Sequence, residues 1–162
     1  MEDKIKKYQD LIELIRTTDD LVKFDEEMDL LLQSIYYVDK DMLKDALEKT
    51  VRIRVATVMR KLIQRDTLSK REEINALFLS VYKTICSLPM LQLTLAFEPS
   101  EAVIDNISRW ARQNLAAGIL LDLSLDRSVL GGAMIMYNGR FYDLTLRKNL
   151  QGIFDKGDLR LG

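Results

Sequence analysis

The chain is 162 residues long, 48% hydrophobic and 30% charged, enough apolar material for one domain or two small ones, and its 24 Lys and Arg offset 25 Asp and Glu to leave a net charge of -1. That balance does not favour nucleic acid as a partner. The absence of His excludes Ser-His and Cys-His nucleophiles and His-containing zinc sites, and the lone Cys86 excludes an internal disulfide.

Met1-Glu2-Asp3-Lys4 offers no signal-peptide core, and no later stretch approaches the roughly 20 apolar residues of a membrane span. The expectation is a soluble cytoplasmic chain with no membrane insertion of its own. Apolar residues then recur at helical spacing: Ile5, Tyr8, Ile12 and Ile15 in a first helix, and Leu21, Phe24, Met28, Leu31 and Ile35 in a second, with Asp19 and Asp20 as its capping candidates. Asp39 or Asp41 can start a third, longer helix carrying Leu43, Leu47, Val51, Val55, Met59 and Leu62. Residues 1–50 hold 14 acids and 8 bases, whereas residues 51–71 hold 1 acid and 7 bases. The cations, among them Arg52, Arg54, Arg60 and Arg65, fall on several sides of the predicted helix, so they read as solvated surface and not as a phosphate-binding stripe.

Ser69 followed by Glu72 forms a predicted capping box for a fourth helix, whose buried face is Ile74, Leu77, Phe78, Val81 and Ile85. Cys86, beside that face, reads as a packed thiol. Pro89 ends the helix because it lacks an amide donor. Beyond it the period falls to two. Leu91, Leu93, Leu95 and Phe97 alternate with polar residues as a half-buried strand. Pro99 and Ser100 then cap a helix with Val103 or Ile104, Ile107, Ala111 and Leu115 inside, closed by Gly118. Trp110, off that stripe, is either a packing residue or a contact anchor.

A second strand sets Ile119, Leu121, Leu123 and Leu125 against Asp122, Ser124 and Asp126. Asn138-Gly139 then joins two short runs in a hairpin whose two-residue loop pairs Tyr137 with Arg140 and Met136 with Phe141. Its core face is expected to be Ala133, Ile135, Tyr142 and Leu144. That leaves Met134, Met136 and Phe141 opposite, a face apolar enough to suggest cover from within the chain, or else a partner surface. A final short helix from about Arg147 to Phe154 can lay Leu150, Ile153 and Phe154 on the sheet.

The expected architecture is α+β: an N-terminal α-helical bundle over residues 1–88, then a small C-terminal α/β domain with a β-hairpin over residues 89–162, divided at the Ser87-Leu88-Pro89 turn. Chemistry is hard to place in it. Neighbouring carboxylates such as Asp19 and Asp20 diverge by about 100 degrees on a helix and do not converge on a substrate. Gly131-Gly132 lacks the Lys and Ser or Thr of a phosphate loop and enters a strand, so it reads as a bulged strand entry where another backbone passes closely. No catalytic, cofactor-binding or metal-binding residue is assigned.

The residues filling the second half resemble a known family. Leu125-Asp126-Arg127-Ser128-Val129-Leu130-Gly131-Gly132-Ala133-Met134-Ile135 is similar to the signature of the delta subunit of F-type ATP synthases, the oligomycin-sensitivity-conferring protein family: an acid, an aliphatic residue, paired glycines and an aliphatic strand. Tyr142-Asp143-Leu144-Thr145-Leu146 and the following run to Leu150 resemble the family's return strand and short helix, with Thr145 replacing the usual Ser. The match spans roughly residues 74 to 155; the first 70 residues match in kind, as a helical domain shorter than the family's usual six-helix bundle.

The resemblance implies a non-catalytic stator subunit without a cofactor, peripheral to the inner (plasma) membrane as part of a complex, resisting rotor torque while ATP chemistry stays with other subunits. Its N-terminal domain would hold N-terminal segments of the alpha subunits, with Ile5, Tyr8 and Ile12 as contact candidates. The C-terminal domain would hold the C-terminal segments of the b subunits, with Met134, Met136 and Phe141 as candidates. Two rival readings stand beside it: a helical adaptor of another assembly that has kept the fold, and a small enzyme built from Asp, Tyr and Arg.

Overall fold

The computed structural model of the protein describes residues 2–35, 47, 49–68, 70–129 and 131–146. Helices and a mixed four-stranded sheet make it α+β, and it separates into two compact units, Met1–Leu88 and Pro89–Gly162.

In the first unit the opening apolar stripe forms α1 (Glu2–Lys7) and α2 (Gln9–Ile12), interrupted at Tyr8. Tyr8 leaves helical geometry (φ -108°, ψ 18°), its side chain is buried, and its hydroxyl lies 3.1 Å from Ser80 Oγ. α3 (Thr18–Ile35) buries Phe24, Met28 and Leu31 completely. Its cap is Thr17 and not Asp19 or Asp20. Thr17 Oγ1 accepts the Asp20 amide at 3.1 Å while the Asp20 carboxylate accepts the Thr17 and Arg16 amides at 3.4 and 3.1 Å, so Asp20 serves as the reciprocating acid three residues in.

The third predicted helix is shorter than its apolar stripe. α4 runs Ile53–Arg65, and Arg52 is extended (φ -51°, ψ 138°) between it and the helical residues at 49 and 50. Leu47 and Val51 are still buried; the expected start at Asp39 or Asp41, with Leu43, lies outside the described residues. α5 (Arg71–Cys86) buries Ile74, Leu77, Phe78, Val81 and Ile85 as predicted. Its first turn begins one residue later than expected: the Lys70 amide donates to Glu73 Oε2 at 3.3 Å, so Glu73 takes the role assigned to Glu72; Ser69 lies outside the described residues.

Cys86 is an exposed residue, not one of the buried face, with its thiol against Tyr82. One residue beyond Ile85 on a helix is a rotation of about 100 degrees, off the buried face. Polar contacts tie the helices across these faces. α3 packs against α5 with Tyr82 donating to Asp25 Oδ1 at 2.5 Å, and Lys7 pairs with Asp66 at 2.6 Å beyond the end of α4.

In the second unit β1 (Met90–Leu95) pairs in parallel with β2 (Leu120–Leu125) through the crossover helix α6 (Glu101–Asn114), and antiparallel with β3 (Ala133–Tyr137), which turns into β4 (Arg140–Asp143). The sheet order is β2-β1-β3-β4. The hairpin register is the predicted one, Tyr137 opposite Arg140 and Met136 opposite Phe141, with Asn138 and Gly139 both at positive φ. On one face Leu91, Leu93 and Leu121 form a core with Ala111 and Ile119, onto which Ile104, Ile107, Ile135 and Tyr137 pack.

That core is narrower than expected. Tyr142 and Leu144 share the Ile135 side of the hairpin but are 49% and 58% exposed. The reason is width. Strands sit about 4.8 Å apart, so four span roughly 14 Å centre to centre, and one helix about 10 Å across leaves the strand farthest from its crossover uncovered. Phe97 and Leu115, predicted to be inside, fall just past the ends of β1 and α6 and are exposed, as is Leu125 at the end of β2.

Candidate functional site

The face of the sheet opposite α6 follows from the strand registers. Asp122, Gln92, Met136 and Phe141 form one row across all four strands, and Ser124, Thr94, Met134 and Asp143 form the next. The β1 and β2 half is polar, closed by a 2.9 Å contact between the Thr94 and Ser124 hydroxyls. The β3 and β4 half is apolar, with Met136 45% and Phe141 60% exposed. With Met134 half-buried in the next row, the rows outline a shallow depression; the final helix expected from about residue 147 to 154 lies outside the described residues. Solvent-facing Met and Phe cost free energy that a partner surface recovers, about 25 cal/mol for each Å² of apolar area removed from water.

The signature residues beside this face have structural duties. Asp126 Oδ1 accepts the Ser128 amide at 2.8 Å, and hydrogen bonding from Ser128 holds the Asp126 carboxyl below the usual carboxylate range. Asp143 Oδ1 accepts the amide of Thr145, a buried residue, at 3.0 Å. Gly131 and Gly132 both sit at positive φ, and a Cβ on Gly132 would stand 2.3 Å from the Leu144 carbonyl oxygen. The backbone passing so closely is the returning chain, bonded from the Leu144 amide to Ala133 O at 2.9 Å and from the Leu146 amide to Gly131 O at 3.1 Å. The glycine pair is thus a strand entry. Leu130 and Leu150, the remaining signature positions, lie outside the described residues.

In the first unit, the contact candidates divide. Tyr8 and Ile12 are 3% and 2% exposed and belong to the core, which corrects their assignment as contacts, while Ile5 is half-buried. Their apolar spacing carried the signal for a buried stripe and not for a docking one. Beside them α1, α2 and α4 line a groove in which Lys6, Lys7, Asp10, Lys61 and Arg65 accompany Val58 and Leu62. Arg65 also donates to the Lys7 carbonyl at 3.4 Å. No spacing rule singles out such a groove, because its two walls are some fifty residues apart in the chain.

Nothing among the described residues gathers three or more Cys, Asp or Glu in a metal-holding group, and no helix of the described residues is long and apolar enough to cross a membrane. The Cys86 thiol is pushed above its ordinary range, chiefly by desolvation, and the Tyr82 phenol is pushed up by its hydrogen bond to Asp25 and then by Cys86. Both shifts make these groups poorer nucleophiles at neutral pH. Trp110 is 52% exposed on α6, away from the core.

A family model described as the ATP synthase delta (OSCP) subunit matches residues 3–156. The chain is 23% identical to ATP synthase subunit delta of Methylobacterium nodulans over 139 residues, covering 83% of this chain and 73% of that protein. It is 36% identical to the delta subunits of Methylobacterium radiotolerans and Methylorubrum extorquens over 62 residues, 38% of this chain and 33% of each of those proteins.

Proposed function

The chain belongs to the ATP synthase delta (OSCP) subunit family, and on that footing we propose that it is a non-catalytic peripheral-stalk subunit tethering the catalytic head to the b subunits against rotor torque. The observation that carries the reading is the exposed Met136 and Phe141 on the sheet face opposite α6, a preformed apolar surface of the kind that receives a partner's side chains. On this proposal Met134, Met136 and Phe141 meet the C-terminal segments of the b subunits. The first unit is a helical bundle folding as its own domain over residues 1–88, and the α/β domain of residues 89–162 folds beside it. N-terminal segments of the alpha subunits dock on the first domain near Ile5 and the groove beside α1 and α4, where apolar Val58 and Leu62 lie within a mainly basic rim that also holds Asp10. The protein works at the membrane surface only through its complex and takes neither cofactor nor nucleic acid.

Co-expression with the alpha, beta and b subunits of the same synthase tests the reading. A tagged copy is expected to recover the catalytic head and b together at a fixed ratio, with no ATP turnover by the tagged protein alone. Recovery of neither from a folded, soluble tagged chain would sink the tether.

A further inference from the structure

The break before α4 has no local cause. From Leu47 to Arg65 the sequence holds neither Pro nor Gly, and Leu47, Val51, Val55, Met59 and Leu62 keep one apolar stripe in helical spacing throughout. Helical bonding exists on both sides of the break, from the Val51 amide to Leu47 O at 3.3 Å and from the Ala56 amide to Arg52 O at 2.9 Å. The Arg52 amide donates to Glu27 Oε1 at 3.1 Å, and the same oxygen accepts Arg52 Nε at 2.6 Å. Asp20, two turns earlier on the same face of α3, receives the other end of the guanidinium. Its Oδ1 is 3.7 Å from Arg52 Nη1, and its carbonyl oxygen accepts Nη2 at 3.4 Å.

We propose that Glu27, Asp20 and Arg52 form a conformational latch: the two acids hold the chain broken at Arg52, and releasing Arg52 lets α4 extend N-terminally through Val51 as one continuous helix. The latch is built to be releasable. The Arg52 side chain is 37% exposed, open to a competing anion or a partner carboxylate. Glu27 Oε2 is buried with no hydrogen-bond partner, so the carboxylate depends on Arg52 for compensation, and whatever draws Arg52 away leaves Glu27 the more exposed to that cost. Release turns the backbone at Arg52 from ψ 138° to helical values, so the two states also differ in how the buried Leu47 and Val51 pack.

Backbone carbon chemical shifts of residues 50 to 53 in the full chain read the state directly. The wild type is expected to show extended values at residue 52. Arg52→Leu and Glu27→Ala are expected to show helical values across all four residues, with a gain in ellipticity at 222 nm equal to about one turn, or roughly four residues. Extended values at residue 52 in either folded variant would overturn the latch and assign the break to the surrounding packing. Should both variants unfold, the wild type still decides the matter. Near 1 M salt the Debye length falls to about 3 Å, and exchange of the Arg52 amide should accelerate several-fold relative to the Ala56 amide, whereas equal protection at low and high salt would contradict the proposal.

Discussion

Phe78→Ala is expected to destabilise the first unit by about 3 to 5 kcal/mol, enough to lower its melting temperature by about 12 °C or more. Phe78 is completely buried on the face of α5 that also buries Ile74, Leu77, Val81 and Ile85, and α5 packs against α3, whose Phe24, Met28 and Leu31 are equally buried. Removing the ring loses its transfer free energy and leaves a cavity between two helices held at fixed separation by their neighbours, including the Tyr82 contact to Asp25 and the Tyr8 contact to Ser80. A small domain has about 5 to 15 kcal/mol in total, so this one substitution removes a large share. Thermal unfolding followed by far-ultraviolet ellipticity measures it. A shift of only a few degrees would mean that the α3 and α5 faces do not share this core.

Gly132→Ala is expected to be nearly as damaging to the second unit, by about 3 kcal/mol, through backbone and not side-chain contacts. The added methyl would lie 2.3 Å from the Leu144 carbonyl oxygen and 3.0 Å from Thr145 Cα, at a φ of 83° that only glycine adopts without strain. Neither obstacle is the flexible end of a side chain, so relief requires the strand entry and the returning chain to part, which breaks the hydrogen bonds that the Leu144 and Leu146 amides donate to Ala133 and Gly131. Gly139→Ala is the internal comparison. That glycine also has positive φ, but a Cβ there meets nothing within 4 Å, so only the left-handed backbone cost of about 1 to 2 kcal/mol applies. Chemical denaturation of both variants separates the terms, and equal losses at the two positions would show that the close approach to Leu144 does not matter.

These contrasts mark where sequence carries structure. The hairpin register was legible because Asn138-Gly139 accepts positive φ at both turn positions, which pins every pair behind it. The buried face of α5 was legible from period alone, and the glycine pair from the rarity of two glycines at a strand entry. The break at Arg52 was not, since its cause lies 25 residues away in Glu27 and 32 away in Asp20. The same limit hid the exposure of Tyr142 and Leu144: alternation says which residues share a face, whereas the reach of one crossover helix decides which of them it covers. Tyr8 and Ile12 show the converse error, because an apolar stripe on a first helix carries the same spacing whether it faces a partner or its own core.

The proposed stalk contact depends on the Met136 and Phe141 face, and a single pair of measurements on the full chain tests it. The Met136→Ala, Phe141→Ala double variant should keep the wild-type melting temperature within about 2 °C, because both residues are exposed, at 45% and 60%. Calorimetric titration with the C-terminal segments of the b subunits should then show binding weakened at least about tenfold, the loss expected when apolar anchors worth about 1 kcal/mol or more each are truncated. Undiminished affinity in the folded double variant would contradict the account.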